Sequence, residues 1–349
     1  MTASTAVVLN SRPHGEPKLT DFRVETRPLP PPADGEVLLR TLFLSLDPYM
    51  RGRMNDAKSY AAAVPLGGVM EGGTVSEVLE SRSPLLAPGD VVLSHDGWQT
   101  HAVRSAEGLR RLDPAQAPLS TALGILGMPG FAAYIGVEEI GRPAAGETFV
   151  VAAASGPVGS AAAQFARIRG ARVVAIAGGA RKTEWIRREL DVDAALDRRS
   201  PTFADDLAAA APDGIDVYFE NVGGAVFDAV LPLLNDHARV PVCGLVSQYN
   251  RTGADEGVDR LPALMTAINI KRMTFRGFTQ RDFIATHTEA FRADVSRWWR
   301  EGRLRYREDI VEGLENAPAA FLGMLRGDNF GKLVVRVAPD APASGASPA

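Results

Sequence analysis

The sequence predicts an α/β protein of two units: a β-rich barrel or sandwich, and a doubly wound parallel sheet with helices on both faces. Three observations carry this expectation. The chain has 349 residues, room for about two domains. Up to about residue 126, short Val-, Leu- and Thr-rich runs alternate with Gly and Pro turns, the pattern of a small β domain. From Glu147 onward, apolar runs alternate with helical stretches, as in a parallel sheet buried on both sides.

The elements follow in order. Glu36–Phe43 (EVLLRTLF), Gly73–Leu79 (GTVSEVL) and Asp90–Ser94 (DVVLS) are strands of the first part. Ala115 to Val137 carries no charge and has the length of a membrane span. Pro118, Gly124, Gly127, Pro129, Gly130 and Gly136 interrupt it, so it is expected to be a buried, turn-broken linker. Strand ETFVVAAA then enters a glycine turn and a small-residue helix, Val158 to Arg169. Next come strand Arg172–Ala177, a charged helix Arg181–Leu190 and a short strand Ala194–Leu196. Ile215–Asn221 (IDVYFEN) and Ala238–Gly244 (ARVPVCG) continue the sheet. After about residue 300, charged helix and loop segments lead to a last strand, Lys332–Val337. The Ala-, Pro- and Ser-rich tail from Pro339 reads as disordered.

Composition narrows the function. A net charge of -4 leaves no electrostatic footprint for nucleic acid. Cys243, the single cysteine, has no partner for an internal disulfide and does not supply a Cys-rich zinc set. His14, His95, His101, His237 and His287 show no HxxxH spacing, and His95 and His101 lack a third ligand nearby. The N-terminal segment has only the apolar run Ala6–Leu9 with no basic region before it, unlike a secretory signal. A cytoplasmic protein without metal, nucleic-acid or membrane partners is the expectation.

Val150 to Ala166 (VVAAASGPVGSAAAQFA) is the most informative segment. Gly156, Pro157, Val158, Gly159 and Ser160 form the turn and the start of the helix. Glycine there lets backbone approach a pyrophosphate, whose charge the helix N-terminus stabilises. Ala154 stands where a full GxGxxG would have its first glycine, and an ordinary βα turn is the competing reading. An NAD site places Asp or Glu about 20 residues further on, to hold the ribose 2′-hydroxyl. Here strand RVVAIA ends in Gly178-Gly179 without a carboxylate and continues into Ala180, Arg181 and Lys182. Lys182, with Arg198 and Arg199 after the next strand, offers positive charge to a 2′-phosphate, so NADP(H) is expected rather than NAD(H). The same cations would also serve as a solvated helix start.

LSLDPYMRGRM (Leu44–Met54), GWQTH (Gly97–His101), LGMPGFAAY (Leu126–Tyr134), ASGPVGS (Ala154–Ser160), YFENVGG (Tyr218–Gly224), CGLVSQYN (Cys243–Asn250) and GDNFGK (Gly327–Lys332) occur together and in this order. The set resembles the zinc-independent branch of the medium-chain dehydrogenase/reductase superfamily. Within it, the leukotriene hydroxydehydrogenase/prostaglandin reductase group and the bacterial NADPH-dependent curcumin reductases are most similar. The resemblance implies a GroES-like catalytic domain (1–126 and 301–338) interrupted by a Rossmann NADP-binding domain (127–300). It implies reduction of the carbon–carbon double bond of α,β-unsaturated ketones and aldehydes with NADPH, in a homodimer. It further implies that Pro157 to Ser160 hold the pyrophosphate, Lys182 the 2′-phosphate, and Asn221 a place beside the cofactor. Cys243, Gly244, Ser247 and Tyr249 would line the ribose and nicotinamide, Phe278 the loop over the nicotinamide, and Asn329 a contact from the returning segment. At Arg198 the family commonly has Tyr, which helps bind the adenosine phosphate.

Hydride transfer to a conjugated carbonyl places charge on its oxygen as an enolate, so the chemistry needs hydrogen-bond donors at that oxygen and a proton for the α-carbon. Tyr249 is the leading donor, with a packing role or protonation by water as the alternative. Tyr49 is the second, shaping the substrate mouth, and Arg51 and Arg53 are candidates to attract a carboxylate on the substrate. Cys243 reads as a small buried hydrophobe rather than a nucleophile. Quinone reduction and NADPH binding without turnover, as in a sensor, are the competing functions.

Overall fold

The computed structural model describes residues 2–253 and 259–338, and the tail expected to be disordered lies outside the described residues. Seven strands precede the parallel sheet: β1 (Ala3–Leu9), β2 (Phe22–Pro28), β3 (Glu36–Ser45), β4 (Thr74–Ser81), β5 (Val91–Ser94), β6 (His101–Ser105) and β7 (Arg110–Leu112). The sheet itself comprises β8 (Thr148–Val151), β9 (Arg172–Ala177), β10 (Ala194–Asp197), β11 (Ile215–Phe219), β12 (Leu234–Val242) and β13 (Thr274–Gly277). The chain then adds β14 (Glu308–Glu312) and β15 (Lys332–Arg336).

Among the described residues, one compact unit comprises 2–123 and 308–338. Its main sheet runs β14-β15-β3-β4-β5-β7, with β6 also on β3, and β1 and β2 form a separate antiparallel ribbon. β3 is its centre because its sequence is apolar on both faces. Val37 and Leu39 enter one apolar cluster, Leu42 and Phe43 a second, and Leu44 a third. The ribbon was visible in sequence only as Ala6–Leu9. It holds because Val7 and Leu9 pack with Phe22, Trp98 and Phe321, the Trp98 ring stacking on Phe22 at 5.7 Å.

The second unit is Gly124–Arg307. Its six strands are all parallel, in the order β10-β9-β8-β11-β12-β13. Numbered within the unit this is 3-2-1-4-5-6, the Rossmann order. Side chains alternate between faces, as strand geometry requires. Phe149, Val151, Val173, Ala175, Val217 and Phe219 face one cluster. Val150, Val174, Ile176, Tyr218 and Val240 face the other, so helices cover both sides. Fully burying a side chain such as Phe149 or Ile176 is worth about 1.5–3 kcal/mol. The unit extends past the expected limits of 127 and 300 because Ile125 and Leu304 are buried in the same cluster as Trp298. The uncharged stretch from Ala115 folds as a short 3-10 turn, Leu119–Leu123, and a buried helix, Met128–Ile135. Among the described residues no helix is long and apolar enough to cross a membrane.

Candidate active site

In an open parallel sheet, ligands meet the loops after the strands, where the strand order reverses. Here the reversal lies between β8 and β11, and the residues of this unit selected from the sequence lie on the loops and first helical turns that follow the strands.

The turn after β8 feeds the helix Pro157–Ile168, with Gly156 extended at its N-cap and Pro157 in its first turn. The missing N–H of Pro157 costs nothing there, because first-turn amides have no partner within the helix. Where the glycine fingerprint has its first glycine this chain has Ala154, and the tight turn is made by Ala153 at φ +53°. The two glycines that follow serve different purposes. A Cβ on Gly159 would lie 2.4 Å from the Ala153 carbonyl oxygen, so the helix-to-strand packing demands glycine. A Cβ on Gly156 would meet only that oxygen, at 3.3 Å, and Gly156 has an ordinary φ of -87°. The fold leaves room at Gly156, as a close approach by phosphate requires. Val158 packs on the core, and Ser160 is buried with its hydroxyl 3.4 Å from the Pro157 carbonyl.

The next strand end gathers charge. Gly179 begins the helix Ala180–Glu189, placing Lys182 in its first turn. Arg198 and Arg199 bring guanidinium nitrogens to 3.2–3.5 Å from where a Gly178 Cβ would stand. Strand pairing of β10 with β9 causes this, setting Asp197 level with Ala177. The same pairing supplies a carboxylate that the sequence reading placed nowhere near this turn. Asp197 Oδ1 accepts hydrogen bonds from the backbone N–H of Gly179 at 2.8 Å and of Arg199 at 2.9 Å. These amides, the Gly179 bond foremost, hold the Asp197 carboxyl below its ordinary range. It is spent on shaping the turn, and the arginines flank it.

The loops after β11 and β12 interlock. Asn221 donates from Nδ2 to the Ala152 carbonyl at 3.0 Å, tying the end of β11 to the end of β8. The Val222 carbonyl accepts from the Ser247 hydroxyl at 2.5 Å and the Ser247 amide at 3.1 Å. Cys243 and Gly244 both donate backbone N–H to the Glu220 carbonyl. Cys243 is partly exposed as a residue, but its side chain packs on the apolar cluster, and burial pushes the thiol up to about 12. It therefore stays neutral, as a hydrophobe rather than a nucleophile. The Tyr249 hydroxyl lies over Gly244, 3.1 Å from the point a Cβ would take. Phe278, just beyond β13, packs against the same apolar cluster as Cys243. Glu220 itself, inside a motif where the sequence reading selected only Asn221, is buried at 2% exposure. Its signal was an acid directly after the apolar run Val217, Tyr218 and Phe219.

The remaining candidates lie in the other unit. Tyr49 precedes the short helix Met50–Arg53. Burial, with the charges of Asp47 and Glu71 nearby, pushes its hydroxyl well above the usual tyrosine value, so it keeps its proton. Arg51 and Arg53 are not presented to an incoming carboxylate, because both are buried at 3% and 2% exposure. Arg51 donates to Asn55 Oδ1 and the Gly15 carbonyl. Arg53 lies 2.8 Å from Glu71 Oε1, with its N–H poorly aligned, and against the Tyr49 and Tyr60 rings. Asn329 donates from Nδ2 to the Gly331 carbonyl at 2.9 Å, which shapes the loop before β15. Buried Lys332 reaches back to Asp47 at 2.8 Å, two residues before Tyr49.

Comparison with known proteins places these features in a family. The model for the N-terminal domain of oxidoreductases matches residues 5–112, and the model described as zinc-binding dehydrogenase matches residues 157–297. Zinc does not fit the residues present. Among the described residues no three His, Cys, Asp or Glu side chains are grouped to hold a metal ion, and the Cys243 thiol is held neutral. The NADPH-dependent curcumin reductase of Escherichia coli is 52% identical over 334 residues, covering 95% of this chain and 96% of that protein. Prostaglandin reductase 1 of Bos taurus is 37% identical over 327 residues, covering 92% and 95%. The crystal structure of CurA from Vibrio vulnificus in complex with NADPH superposes with a TM-score of 0.93 at 48% identity, covering 96% of this chain and 100% of that one. The chain belongs to the medium-chain dehydrogenase/reductase superfamily, and within it to the group that holds the curcumin and prostaglandin reductases.

Proposed function

We propose that this chain is an NADPH-dependent reductase acting on the carbon–carbon double bond of α,β-unsaturated ketones and aldehydes. The observation that carries the reading is the Tyr249 hydroxyl seated over Gly244 at the end of β12, beside the Asn221 loop where the strand order reverses. NADPH, when bound, supplies the hydride. The first-turn amides after Gly156 bind its pyrophosphate, and Lys182, Arg198 and Arg199 bind the 2′-phosphate. The turn held by Asp197 fixes the two arginines for that purpose. Asn221, Ser247 and Phe278 shape the wall for the ribose and nicotinamide. The hydroxyl of Tyr249 donates a hydrogen bond to the substrate carbonyl oxygen, which gains negative charge as the β-carbon accepts hydride. Protonation of the α-carbon completes the saturated product. Tyr49, whose hydroxyl burial keeps protonated, is the second hydroxyl of this reading.

A homodimer belongs to the same proposal. Leu261, Met265 and Ile270 are exposed on the helix Leu261–Lys271 and supply apolar surface for a second copy.

The test is NADPH consumption with a panel of enals, enones and quinones. Turnover of enals and enones is expected, with kcat/KM far higher for NADPH than for NADH. Tight NADPH binding without turnover of any panel member would refute the reductase reading, and comparable kcat/KM with NADH would refute the phosphate assignment.

A further inference from the structure

We propose that Glu220 is the positioning residue of this site, its buried side chain locking together the loops that carry Asn221 and Tyr249. The inference rests on the reading of Tyr249 given above. Glu220 follows β11 directly, and its Oε1 accepts three hydrogen bonds. These come from the backbone N–H of Val222 at 2.6 Å, the backbone N–H of Gly223 at 2.8 Å and the Tyr218 hydroxyl at 3.1 Å. One side-chain oxygen thus fixes the first turn after the strand.

The main chain of Glu220 does the rest. Its N–H donates to the Pro241 carbonyl at 3.0 Å. Its carbonyl accepts from Cys243 at 3.0 Å and from Gly244 at 3.2 Å. The turn held by Oε1 also presents the Val222 carbonyl to Ser247 and the Asn221 carbonyl to the Val246 amide at 3.2 Å. Loops 221–224 and 243–249 therefore both hang on one residue, and the second of them brings the Tyr249 hydroxyl over Gly244.

Oε2 is different. It is buried and has no hydrogen-bond partner among the described residues. An ionised carboxylate with one oxygen in apolar surroundings is costly, and burial raises the Glu220 carboxyl above its ordinary value despite the hydrogen bonds it accepts. What the site needs from this side chain is the Oε1 acceptor at a fixed reach, and the charge is dispensable. Glutamine retains that acceptor. Aspartate, one methylene shorter, retains the charge and loses the reach.

The experiment compares E220Q, E220D, E220A, Y249F and E220A/Y249F, with benzylideneacetone as substrate, and follows amide hydrogen exchange in each protein. E220Q is expected to keep kcat within about threefold of wild type, since the accepted bonds survive. E220D and E220A should lose about 10²-fold in kcat, the cost of a misplacement near 1 Å, with a smaller change in the KM for NADPH. Their amides at 221–224 and 243–249 should exchange faster while those of β8 and β9 do not. E220A/Y249F should fall no further than E220A, because both act through one hydroxyl. A loss in E220Q as large as in E220A, or E220D with wild-type kcat and unchanged loop exchange, would overturn the proposal. Additive losses in the double variant would overturn it as well. A silent Y249F alone removes Tyr249 from the chemistry, and loop exchange in E220D and E220A then decides the role of Glu220 by itself.

Discussion

The hydroxyl of Tyr249 lies 3.1 Å from the point where Gly244 would carry a Cβ. Gly244 is not among the glycines with positive φ, so the backbone accepts alanine and only space argues for glycine. A methyl at this distance is tighter than an ordinary contact and moves the hydroxyl by a few tenths of an ångström. G244A is therefore expected to lower kcat by about tenfold through misalignment, with stability changed by about 1 kcal/mol or less. Steady-state kinetics beside thermal melting checks both parts. An unchanged kcat would mean that the position of the hydroxyl is not critical.

Y249F removes the donor and leaves the ring. If the hydroxyl stabilises charge on the carbonyl oxygen, kcat falls by about 10²-fold, the usual cost of one such donor. The KM for NADPH should hold, since Cys243, Gly244 and Ser247 are untouched. A kcat equal to wild type assigns proton and charge stabilisation to water instead.

Gly159 and Gly156 separate fold from ligand. G159A forces a methyl against the Ala153 carbonyl at 2.4 Å, and overpacking of this kind costs about 1–3 kcal/mol. G156A meets only one atom, at 3.3 Å, and should melt near wild type. Its methyl occupies the space reserved for pyrophosphate, so NADPH affinity should drop by about tenfold or more, the worth of one displaced phosphate hydrogen bond. Calorimetric melting and NADPH fluorescence titration read the two effects apart.

Arg198 stands where the family commonly has Tyr, and it shares the space beside Gly178 with Arg199. A charge-assisted bond to phosphate is worth roughly 1.5–3 kcal/mol. R198A should raise the KM for NADPH by about tenfold, the low end of that range given the exposure of the site. The KM for NADH, which lacks the phosphate, should stay the same. Equal effects on both cofactors would place Arg198 in support of the turn only.

Glu220 predicts an unusual pH dependence of stability. Its folded carboxyl titrates above the ordinary value of 4.5, so the folded state holds the proton more strongly than the unfolded chain. Stability from this group is fully present below the unfolded value and is lost as pH rises through the raised folded one. E220Q, which has no such proton, should gain stability relative to wild type over that rise. Denaturant melts of both proteins across the mildly acid to neutral range test it, and parallel curves would contradict the raised value.

Strands β8, β9 and β10 were legible because each carries a short apolar run bounded by glycine or charge, whereas β13, with Phe275 its only large apolar residue, was missed. The helices Pro157–Ile168 and Ala180–Glu189 came within one residue of their observed ends. The ribbon of β1 and β2 was not legible. Arg23, Glu25 and Arg27 make β2 look like surface, and only pairing with β1 reveals it as a strand. β14 was missed because Ile310 and Val311 are its only apolar residues. Gly156, Gly159 and Lys182 were selected as site candidates from local pattern, whereas Asp197 and Glu220 were not. Asp197 reaches the Gly178 turn through strand pairing, and Glu220 owes its significance to hydrogen bonds across two loops. The pairing of β10 with β9 and the bonds from Cys243 and Gly244 to the Glu220 carbonyl are long-range facts, and one sequence does not display them.

The proposed activity is reduction of the double bond of a conjugated carbonyl compound. The direct measurement uses NADPH deuterated at the transferable position, with benzylideneacetone, and analyses the product by nuclear magnetic resonance. The expected product is the saturated ketone with deuterium on the β-carbon and solvent hydrogen on the α-carbon. An allylic alcohol with deuterium on the carbinol carbon, or no deuterium transfer at all, would contradict it.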